Sequence, residues 1–164
     1  MLNKKGFTVI EVVISFTFVV IILASMFAVV INYQNETETE KVKSSLLTFK
    51  TTILEIVYND VISENMKNMT SCGDKCIQIN TKTDNYVLEA VTLDGEIYLT
   101  YRGTKYLLPD SKNGLSTINN FEYRFDDVNL VYEVNIPIIH AELSEDENKE
   151  NMIKIVVSVK EFNK

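Results

Sequence analysis

The chain has 164 residues, which is enough for one domain with a hydrophobic core but not for two domains and a membrane segment. Its formal charge is −7 at pH 7, whereas a nucleic-acid-binding face needs clustered Lys and Arg, so direct nucleic-acid binding is not expected. Of the 23 acidic residues only Glu11 precedes Glu36, so the negative charge belongs to the downstream part of the chain.

An uncharged apolar segment lies close to the N-terminus. Residues 12–31 include no charged residue, Gly or Pro, and as a helix these 20 residues measure about 30 Å, the thickness of the hydrocarbon core of a bilayer. Lys4 and Lys5 precede the segment and three glutamates follow it at 36–40. The positive-inside rule therefore predicts a single-pass protein with a cytoplasmic N-terminus and an extracytoplasmic C-terminal domain. A secretory signal peptide would have a shorter apolar region that ends at a small-residue cleavage site.

Glu11 is a charged residue among apolar neighbours. A carboxylate at the centre of a membrane helix costs about 2.5–3.5 kcal/mol, and somewhat less near an end. A segment that serves only as an anchor gives no reason for this residue. If the chain were cut after Gly6, the new α-amino group of Phe7 would be a cation four positions before Glu11. The amine of a neighbouring subunit could then pair with the carboxylate, which would make Glu11 an assembly residue.

The run KKGFTVIE at residues 4–11 resembles the N-terminal signal of type IV prepilins and pseudopilins, and the apolar segment extends the resemblance to about residue 31. The resemblance implies that a prepilin peptidase cuts between Gly6 and Phe7 and N-methylates Phe7. It implies a structural role and no cofactor. The implied partners are other pilin subunits in a filament, the peptidase, an inner-membrane assembly platform, and the lipid bilayer before assembly.

One departure from the family bears on the kind of subunit. Many major pilins carry a Pro near the end of the apolar segment, whereas position 28 here is Ala, so an uninterrupted helix is expected. This difference favours a minor pilin or a pseudopilin, in a cell-surface pilus or a secretion or competence filament. The alternative is a membrane-anchored extracytoplasmic binding domain, such as an adhesin or a sensor, that does not polymerise.

Beyond the apolar segment the helix is expected to continue to Met69, because no Gly or Pro occurs between Phe7 and Met69. Apolar residues recur there at spacings of three and four, which is typical of a helix with one buried face. The central stripe comprises Val42, Leu46, Phe49, Ile53, Ile56 and Asp60 or Val61, and it is widened by Leu47, Leu54 and Tyr58.

Cys72 and Cys76 are the two cysteines of the chain. Gly73 and Asp74 between them favour a turn, and the helix is expected to end there. A redox-active pair would have the Cys-x-x-Cys spacing, so a structural disulfide is the preferred interpretation. Closing five residues stabilises the fold by about 2 kcal/mol in the loop-entropy model.

From Ile77 the apolar pattern changes to a period of two, which predicts antiparallel strands. Asp94-Gly95 predicts a tight hairpin, and Arg102-Gly103 a second turn. Pro137 predicts that its strand stops there or lies at an edge. The acidic run 142–150 is expected to be a solvated loop. The expected strands are 86–93, 96–101, 105–108, 121–125, 129–136 and 152–162.

The predicted fold is α+β and pilin-like, with a long N-terminal helix packed on an antiparallel sheet. The predicted organisation is a leader at 1–6, a transmembrane helix at 7–31, its amphipathic continuation at 32–69 and a β-sheet head at 70–164. No enzymatic site is predicted. His140 has no matching Ser or Cys pattern and is expected at the surface or at a strand end, Asp126-Asp127 is interpreted as a turn, and no metal motif is found.

Overall fold

The computed structural model describes residues 8–159 and has the predicted α+β architecture. The chain divides into two units, one ending at Lys41 and the other beginning at Val42. In chain order the elements are α1 (Val9–Ser63), β1 (Asn68–Gly73), β2 (Cys76–Asn80), β3 (Asn85–Leu93), β4 (Glu96–Tyr101), β5 (Thr104–Leu107), a 3₁₀ turn (Ser111–Asn113), β6 (Ser116–Ile118), β7 (Glu122–Asp126), β8 (Val131–His140), α2 (Glu145–Glu150) and β9 (Met152–Ser158). The leader assigned to 1–6 lies outside the described residues.

The helix α1 ends earlier than predicted. It stops at Ser63 rather than continuing to Met69, and residues 68–73 form a strand. Asn65 has a left-handed conformation (φ 52°), and the Met66 N–H reaches back to the Val61 C=O at 3.3 Å. This bond is typical of a Schellman C-cap, and the side chains of Val61 and Met66, at the two positions that it joins, are both buried. The predicted extent was wrong because Asn, like Gly, can end a helix in this way.

The first sheet is antiparallel, with the order β1-β2-β3-β4-β5. The Asp94-Gly95 hairpin is confirmed, and both turn residues have positive φ (53° and 80°), as a type I′ turn requires. Arg102 and Gly103 make an equivalent turn between β4 and β5 (φ 53° and 76°). Each strand of this sheet therefore lies beside its neighbour in sequence.

The second sheet has β8 at its centre, with β6 and β7 along one side and β9 along the other. The prediction that the strand ends at Pro137 or lies at an edge was wrong, because β8 continues to His140. The Pro137 C=O accepts from Asn119 N–H, while the next N–H, of Ile138, bonds to Asn151 on the other side. Pro137 has no N–H to donate. The edge of β8 on which that N–H would lie faces the gap between β6 and β7 at this position, so no ladder bond is lost.

The core of the C-terminal unit lies between α1 and the two sheets. The helix contributes side chains that are at most 8% exposed: Leu46, Phe49, Ile53, Val57 and Val61. Most of the predicted stripe is therefore confirmed. Leu47 was wrongly included, since it is 61% exposed, and Val57 takes a central position where Ile56 is only partly buried.

The acidic run 142–150 is not entirely a loop, because residues 145–150 form α2. Ser144 caps this helix by accepting the Glu147 N–H, and the Glu147 carboxylate accepts the Ser144 N–H in return. Lys43 of α1 lies 2.8 Å from the same carboxylate. The Lys43 ammonium and the Ser144 donors together lower the pKa of Glu147 to about 2. The S-x-x-E spacing of residues 144–147 is the pattern of a capping box and indicates the start of a helix. The prediction of a loop considered only the charge of the run and missed this pattern.

Candidate functional site

The first half of α1 exposes an apolar surface on every side. Between Val9 and Ile31 every residue is exposed, with values of 81% for Val9 and 55% for Ile31. Within the described residues, this is the one helix long and apolar enough to be a candidate membrane span. The finding is consistent with a single-pass membrane protein, and it agrees with the transmembrane helix predicted for 7–31 as far as the described residues extend.

Two hydroxyl groups inside the apolar segment, those of Thr17 and Ser25, are satisfied within the helix. Thr17 donates to the Val13 C=O at 2.9 Å, and Ser25 donates to the Ile21 C=O at 2.9 Å. Because a bilayer core offers no water, such internal bonds remove the penalty for burying these hydroxyls in lipid. These two positions can therefore be covered by lipid or by other apolar helices.

Glu11 lies in the first turn of α1 and is held by Thr8. One carboxylate oxygen, Oε2, accepts from the Thr8 N–H at 2.8 Å and from the Thr8 hydroxyl at 2.9 Å. The Thr8 hydroxyl oxygen accepts the Glu11 N–H at 3.3 Å. Thr8 and Glu11 thus form a capping box, which starts the helix and places the carboxylate near its N-terminal dipole. The T-x-x-E spacing could have indicated this from the sequence.

The other residues of the predicted processing site lie outside the described residues. These are Lys4, Lys5, Gly6 and Phe7. Their assignment as basic leader, cleavage site and methylation site stays a prediction. The structure brings Glu11 together with Thr8, three positions away, and this contact was not anticipated.

The predicted disulfide between Cys72 and Cys76 is present. Its surroundings differ from the prediction, because Cys72 lies in β1 and Cys76 begins β2. The bridge therefore closes the tip of the first β-hairpin and does not end the helix.

A polar cluster at the C-terminal end of α1 was not predicted. Arg102 donates to an Asp60 carboxylate oxygen at 2.7 Å, and its guanidinium lies 3.6 Å from a Glu64 carboxylate oxygen. The same guanidinium lies over the Tyr86 ring, 4.4 Å from the ring centre. Glu64 also accepts hydrogen bonds from Tyr86, Thr81 and Thr83. These contacts attach the end of α1 to the first sheet.

The cluster changes the proton affinity of two of its members. The hydrogen bond from Tyr86 is the main cause that lowers the pKa of Glu64. The same bond raises the pKa of Tyr86 to about 12. Both shifts favour the ionised carboxylate and the neutral phenol, which is the state in which the bond forms. The cluster is therefore a stabilising feature of the head at neutral pH.

His140 ends strand β8 as predicted, but it is fully buried and not at the surface. Its Nδ1 accepts the Glu142 N–H at 3.2 Å, and its Nε2 lies 3.6 Å from an Asp110 carboxylate oxygen.

Asp126 accepts from the Val128 and Asn129 N–H groups, which agrees with its interpretation as a turn residue. Among residues 8–159 no group of three or more His, Cys, Asp or Glu side chains is placed to hold a metal ion.

No protein-family model, curated protein or solved structure matches this chain. The candidate functional site is therefore defined by its own geometry. It consists of the exposed apolar surface of α1 from Val9 to Ile31 together with the Thr8–Glu11 capping box.

Proposed function

We propose that this chain is a minor pilin or pseudopilin, a structural subunit of a type IV pilus or a related secretion or competence filament. In this proposal a prepilin peptidase cuts after Gly6, and the mature subunit assembles through the N-terminal part of α1. The observation that carries the proposal is the exposed apolar surface between Val9 and Ile31, which has a carboxylate, Glu11, in its first turn. The resemblance of residues 4–11 to the prepilin signal supports it.

The apolar surface needs a cover at each stage. Before assembly the bilayer supplies one, since the segment is about as long as the hydrocarbon core is thick. In a filament the same surface would be covered by the equivalent helices of neighbouring subunits. A head-to-tail arrangement that does not close into a ring would extend such a bundle indefinitely. One surface thus serves both as anchor and as assembly face.

Glu11 supplies the polar contact of this assembly. Its Oε2 is engaged by Thr8, and an ionised carboxylate has acceptor sites on both oxygens. The carboxylate can therefore keep its capping bonds and also accept a neighbour's Phe7 amine. The capping box holds the side chain in one place before the partner arrives, which reduces the entropy lost on pairing.

A second candidate function is a single-pass anchor for an extracytoplasmic binding domain that does not polymerise. The Thr8–Glu11 capping box favours it, because this box gives the carboxylate a role within its own helix. The two functions differ in whether the charge of Glu11 is needed.

The substitution Glu11→Gln separates them. Glutamine retains an oxygen that can accept from Thr8, as in the S/T-x-x-E/Q capping box, but it carries no charge. We expect the variant to insert in the membrane and to be cleaved like the wild type, yet to be depleted from sheared filaments. Thr8→Ala, which removes the hydroxyl and keeps the charge, is the matched control and should still be incorporated. Equal incorporation of Glu11→Gln and wild type would refute the charge pairing.

The mass of the mature N-terminus tests the processing step independently. Processing as proposed gives a chain that begins with N-methylated Phe7. A chain recovered from cells with Met1 intact would support the anchor.

A further inference from the structure

The tip of the hairpin between β1 and β2 is bonded to the second sheet, in addition to the bond at 2.8 Å that the Tyr123 hydroxyl of β7 donates to the Met69 C=O of β1. The Asp74 C=O accepts the Phe121 N–H at 2.7 Å, and the Lys75 ammonium donates to the Ile118 C=O. Ile118 ends β6, and Phe121 lies just before β7. Two residues of the tip thus hold the segment that connects two strands of the other sheet.

The contacts made by the tip depend on its backbone shape. The Asp74 carbonyl must face the second sheet, while the Lys75 C=O accepts the Ala90 N–H of β3 at 3.0 Å. The β1–β2 ladder pairs Gly73 with Cys76 across the turn, but its register shifts between Ser71 and Gly73, so the tip is not a regular continuation of the ladder. The Cys72–Cys76 disulfide encloses these residues and is the covalent restraint on the tip.

We propose that the Cys72–Cys76 disulfide is a redox-dependent clasp, which fixes the hairpin tip against residues 118–121 and releases this segment when it is reduced. Cys72 is exposed, so a small dithiol reductant can reach the bond. Reduction breaks the Sγ–Sγ bond, transfers two electrons and two protons from the dithiol to the two cysteines, and leaves the dithiol as a cyclic disulfide. The tip then loses its restraint, while the hydrophobic core is unchanged.

Lys75 of the hairpin tip also forms part of a cleft. Lys75, Asn119, Phe121, Glu122 and Pro137 line a cleft of about 490 Å³ beside the tip. Release of the tip would move one wall of this cleft relative to the others. The oxidised head thus presents a fixed surface here, and the reduced head a loose one. This inference concerns the head alone and does not depend on filament assembly.

Amide hydrogen exchange on the full-length protein in detergent micelles tests the clasp. We expect reduction to speed exchange of the Phe121 amide at least tenfold, because its bond to Asp74 opens. The Ile138 amide, which bonds to Asn151 within the second sheet, should change less than twofold and serves as the internal reference. The double variant Cys72→Ser/Cys76→Ser should exchange like the reduced protein and should not respond to the reductant, since the chain has two cysteines only.

Two results would overturn the proposal. One is an unchanged Phe121 amide on reduction, which would mean that the tip keeps its shape without the bond. The other is an equal acceleration at Phe121 and Ile138, which would mean that the disulfide stabilises the head as a whole. As a further check, Lys75→Met keeps the disulfide and removes the bond to Ile118, so it should speed exchange at Phe121 less than reduction does.

Discussion

Tyr58 of α1 is bonded twice to the backbone of Val156 in β9: its hydroxyl accepts the Val156 N–H at 3.0 Å and donates to the Val156 C=O at 3.2 Å. Among the described strands β9 pairs with β8, so its other edge faces the helix. The tyrosine therefore takes the place of a neighbouring strand at this edge. An edge with unpaired backbone groups is a site of aggregation, and the helix protects it here.

Removal of this hydroxyl should weaken the head. We expect Tyr58→Phe to lower the free energy of unfolding by about 1–2 kcal/mol, because Val156 loses its partner for both backbone groups. Denaturant unfolding in micelles measures the change. Tyr33→Phe is the control, since that ring is 70% exposed, and its effect should be within about 0.5 kcal/mol. Equal stability of Tyr58→Phe and wild type would contradict the role of the edge contact.

Two positions of α1 should respond very differently to the loss of an aliphatic side chain. Ile53 is fully buried, so Ile53→Ala should destabilise the head by about 2–5 kcal/mol through lost burial and the cavity left behind. Leu47 is 61% exposed, and Leu47→Ala should change stability by no more than about 0.5 kcal/mol. Thermal unfolding of the two variants tests the orientation of the helix. A larger loss at Leu47 than at Ile53 would show that α1 packs through another face.

The Glu64–Tyr86 bond should make stability depend on pH at both extremes. The pKa of Glu64 is lowered from 4.5, so as pH falls the unfolded chain takes up this proton first and stability decreases. The pKa of Tyr86 is raised from 10 to about 12, so between these values the unfolded chain loses its proton first and stability decreases as pH rises. Glu64→Gln should make the acid limb of a stability profile measured by denaturant unfolding less steep, while Glu147, whose pKa is also lowered, should maintain part of the remainder.

Glu55→Gln, which changes an exposed glutamate of the same helix, is the control for this profile. It should retain the acid limb of the wild type. If Glu64→Gln retained it as well, the bond to Tyr86 would not be a source of acid sensitivity.

The capping box of α2 should be needed for local order near residue 147. Ser144→Ala removes the acceptor of the Glu147 N–H and should destabilise the short helix by about 1 kcal/mol. Faster exchange of the Glu147 amide would report this loss. Ser44→Ala, at an exposed position of α1, should leave that amide unchanged. Unaltered exchange in the Ser144 variant would mean that the other contacts of α2, the Lys43–Glu147 ion pair and the bonds between Asn148 and His140, are enough to hold it in place.

Local patterns were sufficient to predict much of the fold. Asp94-Gly95 determines its hairpin because both residues tolerate positive φ, and the close pair Cys72 and Cys76 predicted a bridge that is present. The period of the apolar residues identified Leu46 and Ile53 as core positions. Each of these signals lies within a few residues of the structure that it specifies.

Features that depend on distant partners were not predictable in this way. Arg102 and Asp60 are 42 positions apart, and no local pattern relates them. The continuation of β8 through Pro137 depends on where two other strands begin and end. The end of α1 at Ser63 had a local signal in Asn65, but Asn occurs in many other settings, so its presence alone did not specify a C-cap.

The turn at Arg102-Gly103 has a consequence for loop exchange. An Asn-Gly pair would suit the turn conformation better than the native residues do. It would also delete the cation that Asp60 and Glu64 face, so the hairpin would become more regular while the helix lost its attachment. Comparable replacement at Asp94-Gly95 involves no such partner among the described contacts. A designer who recombines loops on this scaffold should therefore graft at residues 94–95 and leave residues 102–103 intact.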